Sequence, residues 1–257
     1  MAQVSGRTEF NGSALTRLLS RLAEVDVRAP RQAQVTADRL SQWFGWTDAI
    51  SLSAALNGTP AASPSGTRVS ASAEENECNR VRSALVAAIT QDSIFLRAPT
   101  ATSTRPRTPP KAATAPAAGP DGCENPAIDT PAPLIDFAPY RQRYLARQQA
   151  MDTAVGPLRG RLRARLAGQS PAMARLAAVD VVMEQVLGTQ ERSLLGSVPS
   201  LLEKHFKRLR QAAPDGWLDA FHQDARDVLL AELDLRFQPV DGLLEALRTR
   251  HTEPPPQ

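Results

Sequence analysis

The stretch IDFAPYRQRYLARQQAMDTAVGPLRGRLRARL, residues 135–166, decides the fold. Its large apolar side chains fall at Phe137, Tyr140, Tyr144, Met151, Val155, Leu158, Leu162 and Leu166. The steps are three or four residues, with one gap of seven that leaves polar Gln148 on the seam. Residues so spaced share one face of an α-helix, whereas a half-buried strand needs strict alternation. Asp136 stands where an N-cap belongs and Gly168 where the helix should close. Gly156-Pro157 interrupts the run and predicts a kink, because proline lacks the N–H that the turn before it needs.

Downstream the same spacing resumes. Ser170-Pro171 is a cap followed by proline at the first helical position. The next run holds Met173, Leu176, Met183, Val186, Leu187, Leu194, Leu195 and Val198. Pro199 kinks or restarts it before Leu201, Leu202, Phe206 and Leu209. Gly188 and Gly196 weaken helical continuity there, each by up to ~1 kcal/mol relative to alanine. Pro214-Asp215-Gly216 reads as a turn. A last run carries Trp217, Leu218, Phe221, Val228, Leu229, Leu233, Phe237, Leu243, Leu244 and Leu247. Residues 134–250 therefore read as three long helices packed as a bundle or coiled coil, and 251–257, HTEPPPQ, as a disordered tail.

Upstream, Leu15, Leu18, Leu19, Leu22 and Val25 mark a helix from Ser13, and Ala33, Ala37, Leu40 and Phe44 mark a second. Gly45 reads as its terminator, with Thr47 and Asp48 capping a third over about 48–56. Ser72 to Glu75 fits a capping box for a helix running to about Phe95. Residues 1–97 thus form a small helical module. Residues 98–133 then break all periodicity: nine of these 36 residues are proline, with alanine and threonine between. Such a stretch reads as a disordered, partly polyproline II linker, and its PRTPP segment reads as spacer before it reads as an SH3-type ligand. The expected architecture is all-α: an N-terminal module tethered to a long-helix bundle, each half folding on its own.

Composition agrees. Of 257 residues, 41 are Ala, 27 Arg and 21 Pro, while aromatics make up only 5%, which disfavours an all-β fold. The net charge of +3 is too mild to indicate a nucleic-acid protein. Cys78 and Cys123 stand far apart, without CxxC or metal spacing. The opening MAQVSGRTEF has no apolar stretch of the secretory kind, and no apolar run approaches the roughly 20 residues of a membrane span. Cytoplasm is the expected compartment.

Chemistry-bearing motifs are sparse. His205, His222 and His251 lie in no HxxxH, HExxH or Glu-x-x-His pattern, and no GxSxG, P-loop or GxGxxG occurs. The expectation is no enzyme, no metal and no cofactor. Three clusters remain as candidate partner-binding residues. Trp43, Phe44 and Trp46 read first as a small core at a helix–turn–helix joint, and second as a docking patch. Arg159, Arg161, Arg163 and Arg165 wrap much of a helix; they read first as a solvated face partly paired with neighbouring acids, and second as a phosphate or acidic-partner site. Lys204, Lys207, Arg208 and Arg210 complement a helix C-terminus, which is sufficient structural reason for them.

Two blocks carry a resemblance: LSQWFGWTDAISLSAAL, residues 40–56, and residues 135–166 continuing through MARLAAVDVVMEQVLGTQERSLLGSVPSLLEKHFKRLR, residues 173–210. Together they resemble an uncharacterised proteobacterial family of helical proteins, a domain of unknown function. No activity is assigned to it, so no catalytic residue carries over. Genes of this family can lie beside genes for inner-membrane motor-like proteins and peptidoglycan-anchoring outer-membrane proteins. The resemblance therefore implies a cytoplasmic accessory of a cell-envelope complex. The expected function is an interaction or adaptor protein with protein partners, capable of self-association along its apolar seams. The alternative is a nucleic-acid-associated protein using the arginine-rich faces.

Overall fold

The computed structural model describes residues 13–24, 42–58, 71–96, 135–212 and 215–249. The proline-rich stretch 98–133, most of the expected second helix over 33–44, and the tail 251–257 lie outside the described residues. The described elements are α1 (Ala14–Ala23), α2 (Trp46–Asn57), α3 (Ala71–Thr90), the single turn α4 (Ser93–Leu96), α5 (Ala138–Ala167), α6 (Pro171–Gly196), α7 (Val198–Ala212) and α8 (Trp217–Thr249). Among the described residues there is no strand, and the protein is all-α.

Local chemistry sets most boundaries. Ser13 caps α1 by accepting the Thr16 N–H at 3.3 Å, and Ser170 caps α6 by accepting the Met173 N–H at 3.3 Å. Pro171 occupies the first turn of α6, where its missing N–H has no intrahelical role. Gly216, at φ +74°, takes the left-handed turn before α8 that a side chain would disfavour.

Several boundaries differ from the sequence reading. Helix does end ahead of Gly45, at Gln42–Trp43, but Gly45 is not left-handed; at φ −75° and ψ 169° it is also the N-cap of α2. Its N–H donates to Asp48 Oδ2 at 3.0 Å, so Asp48 closes the first turn from inside the helix. Helix α3 begins at Ala71, which places Ser72 and Glu75 in its first turn. It stops at Thr90 because Asp92 starts a new turn, its Oδ1 accepting the Ile94 N–H at 3.3 Å. Phe137, not Asp136, precedes α5. The middle long run is two helices: Gly196 ends α6, the Ser197 N–H bonds back to Leu194 O at 3.1 Å, and Pro199 falls in the first turn of α7. Helix α5 continues as one element through Gly156-Pro157, and α6 continues through Gly188.

Helix α8 is the hub. It packs against α1, α3, α4, α5 and α7, while α5 also contacts α3, α6 and α7. The interior is continuous. Leu15, Leu22, Cys78, Ile89 and Phe95 share it with Tyr144, Leu162, Phe206, Val228 and Leu233. The stretches either side of residues 98–133 therefore meet in one core. Full burial of each such Leu or Phe contributes roughly 1.5–3 kcal/mol. One end of the core is aromatic: the Phe206 ring centroid lies 5.0 Å from that of Trp217 and 5.1 Å from that of Phe221, and Tyr140 stands 5.3 Å from Phe221. Helix α2 sits apart from α8, along the outer side of α6.

Candidate functional site

Gln148, the polar residue on the α5 seam, is buried and marks the most charged part of the interior. Its Nε2 donates to Glu232 Oε1 at 3.0 Å and to Leu195 O at 3.1 Å. Glu232 on α8 is fully buried. It also accepts the Tyr144 hydroxyl at 2.8 Å and two N–H groups of Arg236, one turn further along α8, at 2.8 and 3.0 Å. Arg236 pairs in turn with Asp152. Burial, then the neighbouring Glu232 charge, holds the Tyr144 phenol well above its ordinary value. Burial by itself would lower Arg236, but the hydrogen bonds and charge of Glu232 and Asp152 hold it above its ordinary value.

From this network a cleft of about 400 Å³ opens between α5, α6 and α8. Helix weak points converge on it: Gly156 from α5, Gly188 from α6 and Pro239 from α8. No atom lies within 4 Å of where a Gly156 Cβ would sit, so this glycine leaves open space. Asp152, Arg159, Glu184, Glu191, Arg192 and Arg236 supply the charged lining. Burial pushes the Glu191 carboxyl above its ordinary range, against the pull of Arg236 and Arg159. Cations and carboxylates alternate here, so the cleft has no strong preference for one sign of ligand. Among the described residues no group of three or more His, Cys, Asp or Glu is placed to hold a metal ion.

The arginine run pairs with acids on both sides. Arg159 grips Asp180 with two N–H groups at 2.6 and 2.8 Å, and Arg163 reaches Asp180 at 2.9 Å and also pairs with Glu184. On the other side Arg161 lies 3.5 Å from Glu74 and Arg165 3.2 Å from it. Arg159 and Arg163 thus tie α5 to α6, and Arg161 and Arg165 tie it to α3.

The second basic set is also engaged, except at its outer edge. Lys207 pairs with Glu203 at 2.6 Å, and Arg210 lies over the Phe206 ring at 5.9 Å. Arg208 binds three groups: Leu22 O at 3.0 Å, Glu24 at 3.1 Å and His205 Nδ1 at 2.9 Å. Arginine only donates, so Nδ1 accepts, and His205 Nε2 then carries the proton it gives Asp224 at 2.7 Å. Lys204 is exposed.

The aromatic cluster divides. Trp43 and Phe44 are half-buried, but Trp46 is 82% exposed. Ile50 and Leu56 on α2 are 54% and 53% exposed. Asp48 is the only charged residue of α2. A helix that is apolar on more than one side is ordinarily covered on more than one side, and among the described elements α6 is what α2 chiefly lies against.

The spacing of the sequence located Gln148 but missed Glu232, Arg236 and Asp152. A signal existed: Glu232 falls three residues after Leu229 and four after Val228, on the buried face of α8.

These features define an all-helical protein with a buried ionic centre and a solvent-facing apolar helix. The chain belongs to the family described as Protein of unknown function (DUF3348), whose model matches residues 1–249. No curated protein and no solved structure matches it. Among the described residues no helix is long and apolar enough to cross a membrane.

Proposed function

We propose that this is a protein-interaction module, an adaptor that presents α2 to a partner. The observation that carries the reading is the exposure of Trp46 beside Ile50 on a helix with a single charge. Large aromatic side chains of this kind are the usual anchors of protein interfaces. The pairing of Arg159, Arg161, Arg163 and Arg165 with carboxylates supports the same reading over nucleic-acid association, which needs cations free to meet phosphate. The resemblance to a proteobacterial family adds the setting: the cytoplasm, as an accessory of a cell-envelope complex. A tagged pull-down from native lysate, split into nuclease-treated and untreated halves, tests this. The expected result is a near-stoichiometric protein that survives nuclease and is lost with Trp46→Ser/Ile50→Ser. Captured material that vanishes with nuclease would overturn it.

A further inference from the structure

Helix α1 is short and lies against α7 and α8. Its ten residues carry the pattern Leu15, Leu18, Leu19, Leu22, with Leu15 and Leu22 buried between α7 and α8. Its rim contacts are few and specific. Arg21 donates to Asp224 at 2.8 Å, Arg208 donates to Leu22 O at 3.0 Å, and Arg208 pairs with Glu24 at 3.1 Å. Glu24, at φ +53°, is the sole non-glycine residue in the left-handed region among the described residues. A glutamate there is strained; its N–H bonds back to Arg21 O at 3.2 Å, and its exposed carboxylate pairs with Arg208. Beside α1 lies the part-buried His205–Asp224 pair, oriented by the same Arg208.

A short amphipathic helix in an apolar groove, with matched charges at the rim, is a recognised mode of peptide binding. We propose that α1 is an exchangeable ligand helix: the α7/α8 groove that it fills, rimmed by Arg208 and Asp224, also takes residues 13–24 of a second copy of this chain. The occupant follows from fit and reach. The groove already matches this segment residue by residue. Residues 25–41 join α1 to the rest of the chain, and at ~3.5 Å per residue their covalent limit is about 60 Å, enough to reach a neighbouring copy. Exchange of an identical element between copies needs no new contact chemistry. The inference goes beyond the adaptor reading and is independent of it, because it rests on contacts the chain makes with itself.

The experiment is a titration of a dye-labelled peptide of residues 13–24 into the full chain, read by fluorescence anisotropy. Saturable binding is expected to the wild type, and at least tenfold tighter binding to the full-length Leu15→Ser/Leu22→Ser variant, whose own α1 no longer competes. A peptide carrying the same two serines should not bind. Equal affinity for the two proteins, or no binding to the variant, overturns the proposal. An unrelated leucine-rich amphipathic peptide that binds as tightly overturns the second-copy assignment. Should the variant lose its cooperative melt, hydrogen exchange on the wild type decides. Amides of α1 exchanging well ahead of those of α8 support the exchangeable helix; exchange in step with α8 overturns it.

Discussion

Replacement of Arg236 by methionine probes the buried ionic centre most directly. Methionine keeps much of the stem's volume but removes the one positive charge bonded to Glu232. Glu232 is fully buried, and its remaining donors, the Tyr144 hydroxyl and the Gln148 amide, are neutral. Breaking a buried pair by removing one partner costs about 3–5 kcal/mol, because an uncompensated charge stays behind. In a chain of this size each kcal/mol moves the melting temperature by roughly 2–4 °C, so Arg236→Met should lower it by roughly 10 °C. Glu232→Gln in the same background removes the stranded charge while its amide oxygen still accepts from Tyr144 and Gln148. That double variant should regain about half of the loss. The assay is thermal and urea unfolding followed by circular dichroism at pH 7. A single variant within about 1 kcal/mol of wild type, or a double variant no better than the single, would refute the charged centre as a keystone of the fold.

Gly160→Ala should stabilise by up to about 1 kcal/mol, since Gly160 lies within α5 with nothing near the new methyl group; a lower melting temperature would count against the helix there. Burial holds the His222 pKa below its ordinary value, so as pH falls through about 6.5 the unfolded chain takes up its proton first and native stability declines. The stability gap between wild type and His222→Phe should therefore narrow from pH 7 to pH 5, and a constant gap would contradict this. Burial, reinforced by Glu74, pushes the buried Cys78 thiol up to about 11. In a Cys123→Ser background a thiol reagent at pH 8 should label Cys78 only as fast as the protein opens; prompt labelling would place it at the surface. Residues 134–257 expressed alone lack Leu15, Leu22, Ile89 and Phe95 of the shared core, so they should melt lower and bind a hydrophobic dye; a melt matching the full chain would show that the contacts across residues 98–133 contribute little.

The helices were legible because their apolar side chains recur at three and four residues, and burial enforces that recurrence. All the apolar positions read on residues 135–166 except Phe137 lie within α5, and those from Tyr140 to Leu166 are buried. What periodicity does not encode is which helix covers which. The arginine run was recognisable as a candidate for pairing with acids, yet nothing local to Arg159 names Asp180, 21 residues on, or to Arg165 names Glu74, 91 residues back. The Trp43–Trp46 cluster fails for the opposite reason. Bulky rings around a glycine predict a small local core, but Gly45 stands between the helical Gln42–Trp43 and α2 as the N-cap of α2, and Trp46 is turned to solvent. Glu232, between Ala231 and Leu233, gives no sign of burial in its own residue type, because a glutamate is usually a surface residue; its long-range partners show otherwise.

The bond from Arg21 to Asp224 spans 203 residues of chain. On the ribosome, at about 5–20 residues per second, α1 emerges some ten to forty seconds before α8 exists to receive it. During that interval its leucines have no intramolecular home, and a ten-residue helix is too short to persist by itself in water. Helix α1 can therefore dock only after α8 has been made, which leaves a long window for chaperone capture during synthesis.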